Sequence, residues 1–221
     1  MNKLEIQFPI HNKTTITKGG FINDFFMSCG FCMNCHSITS FDNTILTHST
    51  NINQILFYLK EFDDVYENLR EILKTLSKDN PFYNDFIDGF AMLMLFDGKN
   101  EELEKFVSAL YYIKQNNFSD AIPILLELNK SKEEIITNLS IYYLSYIHIK
   151  SNDYSLAKEI MLKVSGDDIY SQLIKLLSAE MDDYMNKDLN SAIDKYLDFL
   201  DNYGSSIYYE DIRLRLRDIV G

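Results

Sequence analysis

The chain has no tryptophan, and only three cysteines, three prolines and eight glycines in 221 residues. So few glycines and prolines leave few obligatory turns, which disfavours a many-turned β fold and favours helices. Three cysteines in a chain of this size do not make a secreted disulfide framework. No run reaches the roughly 20 apolar residues that span a bilayer. The opening MNKLEIQFPIHNK alternates apolar and polar residues instead of forming an export-signal core. The expected compartment is therefore the cytoplasm, without a membrane span. Positive charge is scarce: 21 Lys and Arg stand against 33 Asp and Glu, a net charge of −12. Residues 1–49 are neutral, with Lys3, Lys13 and Lys18 balancing Glu5, Asp24 and Asp42, so the excess of acid lies in residues 50–221. Such a surface repels phosphate backbones and anionic lipids, which excludes general nucleic-acid binding. GxGxxG, the P-loop, HExxH and GxSxG are missing, and no catalytic residue is expected.

What is present is hydrophobic and aromatic: 46% hydrophobic residues, with 15 Tyr and 15 Phe, enough to bury a sizeable core. Residues 1–49, with the β-branched runs LEIQFPI and TTITKGG, have the pattern of a small loop-rich N-terminal module. From residue 50 the pattern turns helical. NINQILFYLKEFDDVYENLREILKTL spaces Ile55, Leu59, Phe62, Val65, Tyr66, Leu69, Ile72 and Leu73 by threes and fours, which predicts one amphipathic helix. Asn80-Pro81 opens the next helix, and Asp97-Gly98 closes it.

A repeat follows. NNFSDA, NDYSLA and KDLNSA place Phe118, Tyr154 and Leu189 three residues before Ala121, Ala157 and Ala192, alanines 36 and then 35 residues apart. Upstream, the small residues Ala109, Ser145 and Ala179 recur at 36 and 34. A small residue on one helix and an alanine on the next let two backbones approach, with the aromatic residue or leucine plugging the turn. These residues resemble the tetratricopeptide repeat (TPR) family, whose unit is about 34 residues long. The resemblance covers roughly residues 100–203, close to three units, followed by a terminal helix around SIYYEDIRLRLRDIV. It departs from the family pattern in lacking a Trp that opens a unit and a Pro that closes one; Pro123 instead stands near the start of a second helix. The resemblance implies an all-α fold, an antiparallel helix-hairpin right-handed array over residues 50–221, working as a protein–protein interaction scaffold or adaptor, with a chaperone-like role among the options. The C-terminal stretch is also similar to bacterial TPR-like proteins of the cell envelope, which makes an envelope-associated location the alternative.

In the TPR-like register the inner surface holds Phe106, Leu110, Ile113, Tyr142, Tyr146 and Ile149. The stretch Leu139–Ile149 is apolar nearly all round and must be covered on both sides. Either the upstream helices fill that concavity, the favoured arrangement, or it stays open to a partner helix or peptide.

The chemical lead is SCGFCMNCHS. Cys29, Cys32 and Cys35 at two-residue gaps, with His36 or His48, offer four ligands of the kind zinc takes, and His11 is a substitute. Cys32-Met33-Asn34-Cys35-His36 matches the attachment pattern of covalent haem c. A Cys29–Cys32 thiol switch and simple packed thiols complete the choices. The functional alternative to the adaptor is thus a metal- or haem-dependent redox protein. Elsewhere, the pairs Asp63-Asp64, Asp167-Asp168 and Asp182-Asp183 fit solvated helix ends and faces. Gly166 fits a helix end with an aspartate capping the next helix, and His148 fits a packed core position.

Overall fold

The computed structural model describes residues 53, 55–80, 83–206 and 208–221. The N-terminal module of residues 1–49 lies outside them. The described residues are all-helical, with no strand among them. They divide into two compact units, one ending at Ile124 and the other running from Leu125 to Gly221.

The first unit holds α1 (Phe62–Thr75), α2 (Tyr83–Leu95), α3 (Asn100–Lys114) and the beginning of α4 (Phe118–Leu128). The single helix expected across residues 51–76 is broken. Lys60 adopts a left-handed backbone with φ 65°. The Glu61 N–H reaches back to the Leu56 carbonyl at 3.0 Å, ending one helical turn before α1 begins. The break puts Ile55 and Leu59 on the surface while Phe57 is fully buried. α1 packs on α2, with the rings of Tyr66 and Phe90 stacked 5.0 Å apart. Gly98, at φ 69°, closes α2 as its sequence suggests. Just before it, Phe96 stacks on Phe106 of α3 at 5.4 Å, a pairing that adds about 1 kcal/mol beyond the burial of the rings.

The second unit contains the end of α4 and five further helices: α5 (Glu134–Lys150), α6 (Tyr154–Met161), α7 (Ile169–Glu180), α8 (Leu189–Asn202) and α9 (Tyr209–Val220). A π-helical segment, Met181–Asn186, continues α7. The nearly uniform apolarity of α5 has the expected consequence: α6 packs on it and so does α7, and ten of its residues are buried. α8 packs against α7 and the π segment, and α9 closes the unit against α8.

The turns α3–α4, α5–α6 and α7–α8 share one construction. Asn116, Asn152 and Lys187 are left-handed, with φ 58°, 61° and 58°. The following residues, Asn117, Asp153 and Asp188, donate their N–H back to Tyr112, His148 and Asp182 at 2.9, 2.8 and 2.9 Å. Asp153 and Asp188 then cap the next helix by accepting from the Leu156 and Ser191 N–H groups. All six small positions, Ala109, Ala121, Ser145, Ala157, Ala179 and Ala192, are buried. The plugging role fits Phe118 and Tyr154, which are half-buried, but not Leu189, which is 44% exposed. Between α6 and α7, Gly166 has φ 70°, and the Asp168 carboxylate accepts from the Tyr170 and Ser171 N–H groups at 2.8 and 3.1 Å. Asp168 also accepts from Asn138 Nδ2 at 2.6 Å, tying the cap to the buried face of α5.

Candidate functional site

The third turn carries one residue more than the other two. From Ala109 to Ala121 and from Ser145 to Ala157 the chain advances 12 residues; from Ala179 to Ala192 it advances 13. One extra residue in an α-helix would rotate the following turn by about 100°. The π segment takes it up within its wider turn, and such segments recur at functional sites. Counted from the small residue, Asp183 lies four residues on, as Ile113 and Ile149 do before the other two turns. All three are buried.

The pair Asp182-Asp183, expected on a solvated face, is therefore interior, each residue 1% exposed. A buried carboxylate needs several partners, and both have them. Asp182 accepts from Lys158 of α6 and Asn186 on one oxygen, at 2.5 and 2.8 Å, and from Lys195 and Ser191 of α8 on the other, at 2.6 and 2.7 Å. Burial works to raise its carboxyl, but those four bonds overcome it and hold the group well below the usual carboxylate range. Asp183 is gripped at both oxygens by Arg215 of α9, at 2.8 Å each, and accepts from the Tyr196 hydroxyl at 3.2 Å. The Arg215 guanidinium also lies 4.7 Å from the Tyr184 ring centre.

Beside this network Glu180 is buried, and its Oε1 has no hydrogen-bond partner among the described residues. Burial, and secondarily the charge of Asp183, push its carboxyl up to about 8, so it is protonated at neutral pH. Burial raises the Tyr184 phenol to about 12 and the Tyr196 phenol further still.

On the outer side of the Lys158–Asp182–Lys195 bridge lies an open groove of about 340 Å³. Met161, Leu162, Val164 and Ile174 give it an apolar wall, and Lys158, Lys175, Ser178, Lys195 and Asp198 give it polar edges. Leu162, just past the end of α6, is 84% exposed. The Lys175 ammonium donates to the Tyr203 hydroxyl and lies 5.0 Å from that ring's centre. Lys195 donates to the Ser178 hydroxyl at 2.8 Å and to its carbonyl at 3.3 Å.

The six residues expected on the inner surface differ in burial. Phe106, Leu110, Ile113 and Ile149 are buried core, while Tyr142 and Tyr146 are half-buried. Cys29, Cys32, Cys35, His36 and His48 lie outside the described residues, as does His11. Among the described residues no group of three His, Cys, Asp or Glu side chains could hold a metal ion, and no helix is long and apolar enough to cross a membrane. His148 is half-buried, its Nδ1 4.0 Å from Asp153. Sequence reasoning missed the groove because its residues come from three helices and a loop. The burial of Asp183 did leave a signal, its place four residues after Ala179, as Ile113 and Ile149 follow Ala109 and Ser145. No family model, no curated protein and no solved structure matches the chain.

Proposed function

We propose that the protein is an interaction scaffold whose α3–α4, α5–α6 and α7–α8 pairs are three copies of a TPR-like hairpin, and that it seats a partner peptide or helix in the groove beside α6, α7 and α8. The three shared turns and six buried small positions support the hairpin repeat. The observation that carries the binding role is the groove itself, about 340 Å³ in volume, with an apolar wall on which Leu162 stands 84% exposed. Phe106, Leu110, Ile113 and Ile149 serve the hairpins as core, so a partner is met on the groove and not on them.

Selection of a displayed random 12-residue peptide library on the immobilised full chain tests this. The wild type should enrich a family of apolar sequences. Leu162→Asp should fail to enrich them, with unchanged far-UV circular dichroism because the side chain is already solvated. Equal enrichment by the two proteins would refute the assignment of the groove.

A further inference from the structure

The charges around the groove define what it accepts beyond apolar contact. Three ammonium groups, those of Lys158, Lys175 and Lys195, border it. Two carboxylates answer them: Asp182, behind the wall, and Asp198, on the edge. One positive charge is left over in a chain whose net charge is −12. The hydrogen-bond inventory locates the unused capacity. Each ammonium has three donors. Lys195 directs its own at Asp182 and at both oxygens of Ser178. Among the described residues Lys158 makes one bond, to Asp182, and Lys175 makes one, to the Tyr203 hydroxyl. Asp182 already accepts four bonds and Asp198 is engaged by Asn202, so neither needs the remaining donors.

Resting on the scaffold role above, we infer that the groove selects peptide segments in which an Asp or Glu side chain adjoins apolar residues, the carboxylate being taken by Lys175 and Lys158 while the apolar residues cover Leu162, Met161 and Val164. Asp182 acts as a positioning residue: by bridging Lys158 and Lys195 it holds one cation at each side of the wall. The local surplus is opposite in sign to the whole chain, so an acidic segment is drawn to this spot and discouraged from acidic surface elsewhere. A peptide fits better than an acyl chain. The groove is open to solvent, and a ligand held by its hydrocarbon alone needs most of its surface enclosed, whereas a peptide buries one face and leaves the other in water.

The test uses the 12-residue peptides enriched on the full-length wild type. Each is synthesised as selected and with its acidic residue changed to the amide, and both forms are titrated by fluorescence anisotropy. Enriched sequences should carry Asp or Glu next to Leu, Ile, Met or Phe. The change to the amide should weaken binding about tenfold, the size of one charge-assisted hydrogen bond. Lys175→Gln, which leaves the Asp182 network untouched, should weaken the acidic peptide by a similar factor and abolish its advantage over the amide. If peptides bind and are lost with Leu162→Asp, but the amide form and Lys175→Gln change nothing, the carboxylate inference falls and the scaffold role stands. If Leu162→Asp has no effect on bound peptides, or if no peptide enriches, both fall. Stoichiometric binding of dodecanoate in place of any peptide would give the groove to lipids and overturn both.

Discussion

Replacing Glu180 by Gln should change how stability depends on pH. The perturbed group is a buried carboxyl held at about 8 against an ordinary 4.5. It is faced by Asp183 and Tyr184 of the π segment, by Tyr196 of α8 and, through Asp183, by Arg215 of α9. Its folded-state value is raised, so between the two values the folded chain keeps a proton that the unfolded chain releases. Stability from this group is therefore complete below about pH 4.5 and declines as pH rises toward 8, by at most about 1.4 kcal/mol per pH unit. From about pH 5 to 7 the decline amounts to about 2.5 kcal/mol. Glutamine has the same shape and does not titrate. The stability of Glu180→Gln minus that of the wild type should therefore grow by about 2.5 kcal/mol over that range, and flatten above pH 8. Urea unfolding followed by far-UV circular dichroism at a series of pH values measures it, and taking the difference cancels every other titrating group. A flat difference would show that Glu180 ionises as it does in water and that the interior beside the π segment is wet, which would undo the account of the buried network.

Arg215→Met leaves Asp183 buried and without its charge partner, and should cost about 3 kcal/mol. Adding Asp183→Ile, the residue type at the corresponding positions 113 and 149, should restore most of that loss, and urea midpoints of the single and double variants decide the point. Asp168→Ala removes acceptors from the Tyr170 and Ser171 N–H groups and from buried Asn138. It should lower stability by about 2 kcal/mol, while Asp167→Ala, at an exposed neighbour, should be nearly neutral in the same thermal melt.

Local chemistry was the legible part of this sequence. The recurring small residues, the Asp168 cap and the all-round apolarity of α5 each follow from one residue or from one helix period, and each is found where that logic puts it; Gly166, expected to end a helix, instead turns the loop five residues past Met161, the last residue of α6. The break at Lys60 was not legible, because the left-handed residue there is neither glycine nor asparagine and the apolar spacing runs straight through it. The aspartate pair misled because composition alone sends charged residues to the surface; the recurrence of the small residues, which sets Asp183 in register with the buried Ile113 and Ile149, was a better guide than side-chain type. The groove was beyond reach in a single sequence, since Lys158, Lys175 and Lys195 are brought together by packing and not by any shared helix face.

The extra residue between Ala179 and Ala192 bears on these observations. A buried ion pair contributes little net stability, because the desolvation of both charges offsets their attraction. An isoleucine at position 183, the residue type at 113 and 149, would serve the core at least as well. The network around Asp182 and Asp183 has a different consequence, which is position. Through it α6, α8 and α9 are each bonded to the same π turn, by Lys158, Lys195 and Arg215. Two of those three side chains also form the groove's edge. A lysine on an isolated helix surface samples many rotamers, and ordering it on binding costs about 1.5–2 kcal/mol. Lys158 and Lys195 have that ordering done in advance by a carboxylate that water does not reach. The two aspartates divide the work: Asp183, at the position filled by isoleucine in the other two helix pairs, holds Arg215, while Asp182 fixes the lysines. Under the proposed role, Lys158 would thus meet a partner's carboxylate already ordered.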